Sequence, residues 1–273
     1  MIIDGHTHIF TNDMVQNKER YCNDRQFSLL YYGKARIAHA EMLVESMEHN
    51  GVDASLVLGF TWQKEEYAQM HNEYLATVQH TYKGKIYAFG AIALNGDVYK
   101  QIESIKKLGL YGIGEVAFYA NGFNEEEEML LGQILAIAEK FTLPVCLHVN
   151  EPVGHIYAGK YYTDMRSLFA LCSQYTNIPI ICSHWGGGLL FYELMPEVKK
   201  SLTHVYYDTA ATPFLYDSGI YDIAIQMCGK EKILFGSDFP LLEYSRYKQH
   251  IEALGESAEY VLYKNVETVL GIA

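Results

Sequence analysis

Six residues of this chain have the types and the company that metal-dependent chemistry requires. His6 and His8 stand one residue apart in IIDGHTHIF, Glu115 lies in GIGEVAFY, His148 in PVCLHVNEP, His184 in IPIICSHWGGG and Asp238 in ILFGSDFP. Imidazole nitrogen and carboxylate oxygen are the usual ligands of Zn2+, Mn2+ and Fe2+ in catalytic centres that keep one position open for water. On an extended strand, residues i and i+2 share a face, so His6 and His8 are expected to aim their rings at one point.

Residues so far apart in sequence need a scaffold that gathers them. Short apolar, β-rich runs at residues 1–4, 54–59, 86–93, 112–117, 144–149, 178–183, 204–207 and 232–235 read as strands. Between them lie helical patterns at 35–50, 65–82, 97–108, 124–141, 164–175, 189–200 and 214–228, with two more after Asp238. Asn50-Gly51, Lys83-Gly84 and Gly109 read as helix stops, and Asn124 followed by four glutamates as a helix start that suits the positive end of the helix dipole. Eight strands alternating with helices predict one (β/α)8 barrel, a TIM barrel in a single domain over residues 1–273. The rival, a doubly wound open sheet, is disfavoured because no G-x-G-x-x-G follows the first strand. In a barrel the active site lies at the C-terminal strand ends, and the six residues fall at the ends of the first, fourth, fifth, sixth and eighth strands. His39, His49, His71, His80 and His250 fall on helical patterns, where solvated positions are expected, and His204 precedes the seventh strand at the opposite face.

Composition bounds the remaining possibilities. A formal net charge of −12 without clustered Lys or Arg argues against binding nucleic acid. No apolar run approaches the ~20 residues of a membrane span, and no basic stretch followed by an apolar one opens the sequence, so a cytoplasmic location is expected. Five cysteines without C-x-x-C spacing read as buried thiols, and the 23 tyrosines and 12 phenylalanines as core filling.

Together these pieces resemble the amidohydrolase superfamily, and within it the amidohydrolase 2 group: DGHTH at the start, the histidine of the fifth strand, SHWGGG, GSDFP and the closing YKNVETVLGI. The resemblance implies that His6, His8, His148 and Asp238 hold one divalent metal, with His184 as general base or proton shuttle. Glu115 departs from that group and is similar to the strand-4 glutamate of TatD-like DNases, which bridges two metals. On that pattern His6, His8 and Asp238 would hold one ion and His148 and His184 the other. Zinc is the first expectation, with manganese or iron as alternatives.

A metal-activated water suits hydrolysis of a small-molecule amide, ester or lactone, with Asp238 both ligand and proton acceptor. The alternative is non-oxidative decarboxylation or hydration of an unsaturated or aromatic acid, as in relatives resembling aminocarboxymuconate semialdehyde decarboxylase. TatD-like phosphodiester cleavage is a weaker third reading, given the negative charge. An anionic small-molecule substrate is expected to meet the long segment NEPVGHIYAGKYYTD, through Glu151, His155, Tyr157, Lys160 and Tyr161. Arg25, in YCNDRQFSLLYYGK, belongs to a second long segment that could form a lid. Assembly as a homo-oligomer is compatible with all of this.

Overall fold

The computed structural model describes residues 1–272. Ten strands form: β1 Ile3–Thr7, β2 Ala54–Val57, β3 Thr61–Trp62, β4 Ile86–Gly90, β5 Ile92–Ala93, β6 Gly112–Val116, β7 Val145–Leu147, β8 Ile180–Cys182, β9 Val205–Asp208 and β10 Ile233–Leu234. Eight of them make a single parallel sheet in the order β1-β2-β4-β6-β7-β8-β9-β10. The two ends of that sheet meet, because Gly5 N–H donates to the Phe235 carbonyl at 2.8 Å and Thr7 bridges to Phe239. The result is the (β/α)8 barrel that the eight apolar runs predict. Ile3, Leu56, Phe89, Cys146, Ile181 and Leu234 pack together in one buried cluster, and a larger apolar layer unites the strands with the surrounding helices.

Helices of the outer layer start and stop where side chains can satisfy their free ends. In α4 (Ala40–Asn50) the helix ends on Gly51 at φ 69°, a left-handed turn that glycine adopts without a Cβ clash. In α6 (Val98–Lys107), α7 (Glu125–Phe141) and α8 (Met165–Gln174) the caps are Asp97, Asn124 and Asp164, each accepting a backbone N–H of the first turn. α5 (Glu65–Thr81) buries Ala68, His71, Asn72, Leu75 and Val78 along one stripe. His71 is thus fully buried rather than solvated, because that stripe turns it toward the barrel. No helix among the described residues is long and apolar enough to cross a membrane.

Three other expectations are revised. The segment after β1 holds three short helices, α1 Asn12–Gln16, α2 Lys18–Tyr21 and α3 Arg25–Tyr31, which pin themselves down by burying Met14, Tyr21 and Phe27. The helix expected over 189–200 is instead a tight coil from His184 to Leu194 followed by α9 (Pro196–Ser201), since Pro196 lacks the N–H a helix interior needs and opens a new one. The helix expected over 214–228 is broken into α10 (Thr212–Leu215) and α11 (Ile220–Cys228), with Asp217-Ser218-Gly219 between them.

Two departures from regular pairing shape the mouth of the barrel. Pairing slips in β1 between Asp4 and Thr7 and in β6 between Ile113 and Val116, the stretches that carry His6 and Glu115. Such irregularities re-aim side chains at sheet rims. The small sheet of β3 and β5 extends the barrel above β2 and β4. From it Thr61 Oγ1 donates to the Glu115 carbonyl at 2.8 Å and accepts from Ala117 N–H at 3.0 Å, clamping the backbone on both sides of the glutamate's strand end.

Candidate metal centre and active site

All six residues converge at the C-terminal mouth of the barrel. His6 Nε2 lies 3.0 Å from His8 Nε2 and 3.7 Å from Asp238 Oδ1, and His8 Nε2 is 3.6 Å from the same oxygen. Glu115 Oε1 sits 3.7 Å from His6 Nε2, 3.1 Å from His148 Nδ1 and 3.6 Å from His184 Nε2, while its Oε2 is 3.8 Å from His8 Nε2. His148 Nδ1 and His184 Nε2 are 3.2 Å apart. Two ligands placed about 2.1 Å from a tetrahedral ion are themselves about 3.4 Å apart, the spacing seen here. Within this cluster, His6, His8 and Asp238 form one set of converging ligand atoms, and His6, Glu115 and His184 another.

The reverse faces of the rings strengthen the fit to a cation. His6 Nδ1 is held by Asp208 Oδ2 at 2.8 Å, His8 Nδ1 by the Leu58 carbonyl at 3.3 Å and His184 Nδ1 by the Ala210 carbonyl at 3.0 Å. Carboxylate and carbonyl oxygens only accept, so each Nδ1 carries the proton and each Nε2 presents its lone pair to the cluster. Lone pairs and carboxylates crowded in a buried space repel one another unless positive charge is shared among them. A divalent ion supplies that charge, and this donor set fits it.

Protons compete for the same lone pairs, and the electrostatics register the demand. Burial alone disfavours charge on His6, but Asp208 and Glu115 outweigh it and raise the ring to about 9. Burial likewise opposes charge on His184, yet the hydrogen bond and charge of Glu115 lift it to about 10. His8 is driven down by burial and by the neighbouring His6. Glu115, despite burial, is held well below the usual carboxylate range by His148 and His6.

Asp208, at the end of β9, is a functional neighbour absent from the six residues singled out by sequence. One oxygen holds His6 and the other accepts from the backbone N–H of His184 at 2.9 Å, so a single buried carboxylate orients a ring from β1 and a strand end from β8. HVYYDTA does carry a signal, an acidic residue closing a strand at the active face. Asp238 takes a left-handed backbone, φ 66°, and its N–H donates to the His6 carbonyl at 2.9 Å.

The residues expected to meet substrate divide. The Tyr157 hydroxyl lies 3.3 Å from His148 Nε2, and Glu151 is half-buried nearby with a buried Oε1 that has no partner. Tyr161 is buried and its hydroxyl donates to the His148 carbonyl at 2.8 Å, a brace for the strand end. Lys160 turns back on its own loop, donating to the Val153 carbonyl at 2.8 Å and the His155 carbonyl at 3.0 Å, rather than into the cluster. His155 and Arg25 are exposed. An aromatic wall not anticipated from sequence flanks the cluster: Tyr119 packs edge-on against His148 at 5.0 Å, stacks on Phe60 at 5.9 Å, and Phe60 meets Tyr31 at 5.6 Å. Burial and the charge of Asp238 and Glu115 push the Tyr31 phenol far above its usual range, as they do that of Tyr157.

A parallel barrel with buried histidines and carboxylates converging at its C-terminal mouth defines the metal-dependent TIM-barrel enzymes. The chain belongs to the amidohydrolase family, whose sequence pattern matches residues 3–265. Among curated proteins no sequence matches it. Among solved structures it is similar to 5-carboxyvanillate decarboxylase from Novosphingobium aromaticivorans, complexed with manganese and 4-hydroxy-3-methoxy-5-nitrobenzoic acid, at TM-score 0.77 and 13% identity over 99% of this chain and 96% of that one. It is also similar to 5-carboxyvanillate decarboxylase from Sphingomonas paucimobilis (TM-score 0.71, 13% identity, 100% and 99% covered) and to 2,6-dihydroxybenzoate decarboxylase from Rhizobium (TM-score 0.69, 14% identity, 99% and 98% covered). At such identities the likeness establishes the fold.

Proposed function

We propose that the protein is a metal-dependent decarboxylase acting on a small aromatic carboxylic acid. The observation that carries this reading is Tyr119, packed edge-on against His148 and backed by Phe60 and Tyr31, which puts aromatic side chains beside the carboxylate and imidazole cluster, the kind of neighbour a planar ring packs against. The likeness to decarboxylases of hydroxylated benzoates supports it. His6, His8 and Asp238 would hold one ion, and Glu115 would share it with a second held by His148 and His184. A divalent ion there supplies charge that binds and polarises the substrate's oxygens.

Decarboxylation breaks the bond between ring carbon and carboxyl carbon, leaves its electron pair on the ring, releases CO2 and requires one proton at the same ring carbon. Asp238 would deliver that proton, a role supported by its Oδ1 facing His6 and His8 and by a side chain that is 17% exposed where the rest of the cluster is buried. Tyr119 donates to Glu115 Oε2 at 3.4 Å, a further hold on that carboxylate.

A second reading, hydrolysis of an amide, ester or lactone with zinc as the metal, is favoured by Glu115 alone, whose place between two imidazole pairs suits a two-ion hydrolytic centre. One experiment separates the two. Manganese-loaded protein is incubated with a panel of hydroxybenzoates, then with lactones and anilides, and both CO2 and free acid are measured. CO2 release from an aromatic acid, abolished in Asp238→Asn, is expected; turnover of lactones or amides without CO2 from any acid would overturn the decarboxylase reading.

A further inference from the structure

The two halves of the cluster are held by different kinds of support. The rings of His6, His8 and His184 are oriented from behind by groups of the barrel and its rim: the Asp208 carboxylate, the Leu58 carbonyl and the Ala210 carbonyl. His148 faces the cluster with Nδ1, and its Nε2 points the other way, toward the Tyr157 hydroxyl at 3.3 Å. That hydroxyl donates in turn to Asn150 Oδ1 at 2.5 Å. A phenol has one hydrogen, so once it is given to Asn150 the oxygen can only accept from His148. Nε2 of His148 therefore carries the ring proton, and Nδ1 turns its lone pair toward Glu115 and His184.

We propose that Tyr157, backed by Asn150, is a positioning residue that fixes the His148 ring for the second metal ion, and that binding of that ion is thereby tied to the seating of the 150–164 segment. This inference depends on the two-ion reading above. Asn150 is buried at the end of β7, whereas Tyr157 is 37% exposed and sits among Val153 and Ile156, which are 74% and 84% exposed. His148 is thus the one ring of the four whose orientation is set by a side chain of an exposed segment. The ion held by His148 and His184 is accordingly the more easily lost, and the ion held by His6, His8 and Asp238 the more firmly kept.

The test measures metal binding by the full-length protein, with Co2+ as probe, by equilibrium dialysis and by its visible absorption. Two ions per chain are expected for the wild type. In Tyr157→Phe the first ion should bind as before while the second binds about 10- to 100-fold more weakly, the usual effect of losing a partner behind a ligating histidine. Asp208→Asn should weaken the first ion instead. Ile156→Ala, next to Tyr157 on the same segment and without a polar contact, should change neither. Equal second-ion affinity in wild type and Tyr157→Phe would overturn the positioning role while leaving the two-ion centre intact, as would an equal loss in Ile156→Ala. A single ion in the wild type would instead overturn the two-ion reading on which the inference depends.

Discussion

His71 offers a sharp test of how the barrel wall supports the site. The ring is fully buried on α5, accepts from Trp62 Nε1 through Nδ1 at 3.3 Å, donates through Nε2 to the Ile9 carbonyl at 2.8 Å and stacks on Phe10 at 5.2 Å. Both nitrogens are satisfied only in the neutral ring, since a proton on Nδ1 would face the indole N–H. Burial lowers its pKa from 6.5 to about 4. Above pH 6.5 the folded and unfolded states are both neutral and the residue makes stability no more pH-dependent. As pH falls from 6.5 toward 4 the unfolded chain takes up the proton and the folded chain does not, so stability drops. At about 1.4 kcal/mol per pH unit the loss reaches roughly 3 kcal/mol by pH 4. For a chain of this size that is roughly 5 °C in melting temperature. His71→Gln removes the titration while keeping an acceptor for Trp62 and a donor for Ile9. Denaturant unfolding of both proteins between pH 7.5 and 4 compares them directly, and the metal ligands, common to both, cancel. The wild type should lose roughly 3 kcal/mol more than the variant across this range; parallel curves would refute the argument.

Two further outcomes rest on buried charges. Glu115→Gln removes the carboxylate that faces all four imidazoles, so the ratio of bound metal to protein, read by elemental analysis, should fall from near two to near one; an unchanged ratio would sink its bridging role. Lys232 and Glu193 form a buried pair that Tyr207 and the Leu202 carbonyl also join, so Lys232→Met should cost roughly 3–5 kcal/mol in denaturant unfolding by stranding the glutamate. Adding Glu193→Gln should recover much of that loss, and a double variant as unstable as the single one would contradict the explanation.

The barrel was legible because buried parallel strands are short apolar runs with abrupt polar ends, and the polar ends are where His6, Glu115, His148, His184 and Asp238 stand. Sequence could place these residues at one mouth, but it could not say what stands behind them. Two of the groups that orient the rings are backbone carbonyls, of Leu58 and Ala210, and a carbonyl has no letter of its own. Asp208 did have a letter, yet it stands on a different strand from both residues it serves, one strand from His184 and two from His6. Lys160 illustrates the converse: its charge suggested an anion, but charge does not give direction, and the side chain satisfies its own loop. The aromatic wall was hidden for a related reason, since Tyr31, Phe60 and Tyr119 come from three separate segments, each indistinguishable from core.

The seam of the barrel runs through the site. Asp238 N–H donates to the His6 carbonyl, His8 N–H to the Phe239 carbonyl at 2.8 Å, and Ser237 N–H to Asp4 Oδ1 at 2.8 Å. The earliest and nearly the last elements of the chain are thus stitched together by the residues that flank the proposed ligands. A growing polypeptide can complete neither the barrel nor the His6, His8 and Asp238 set until β10 and the turn after it have docked on β1. An ion held by that set would act as a clasp across the two ends of the fold, tying the last step of assembly to the first moment at which the protein can do chemistry.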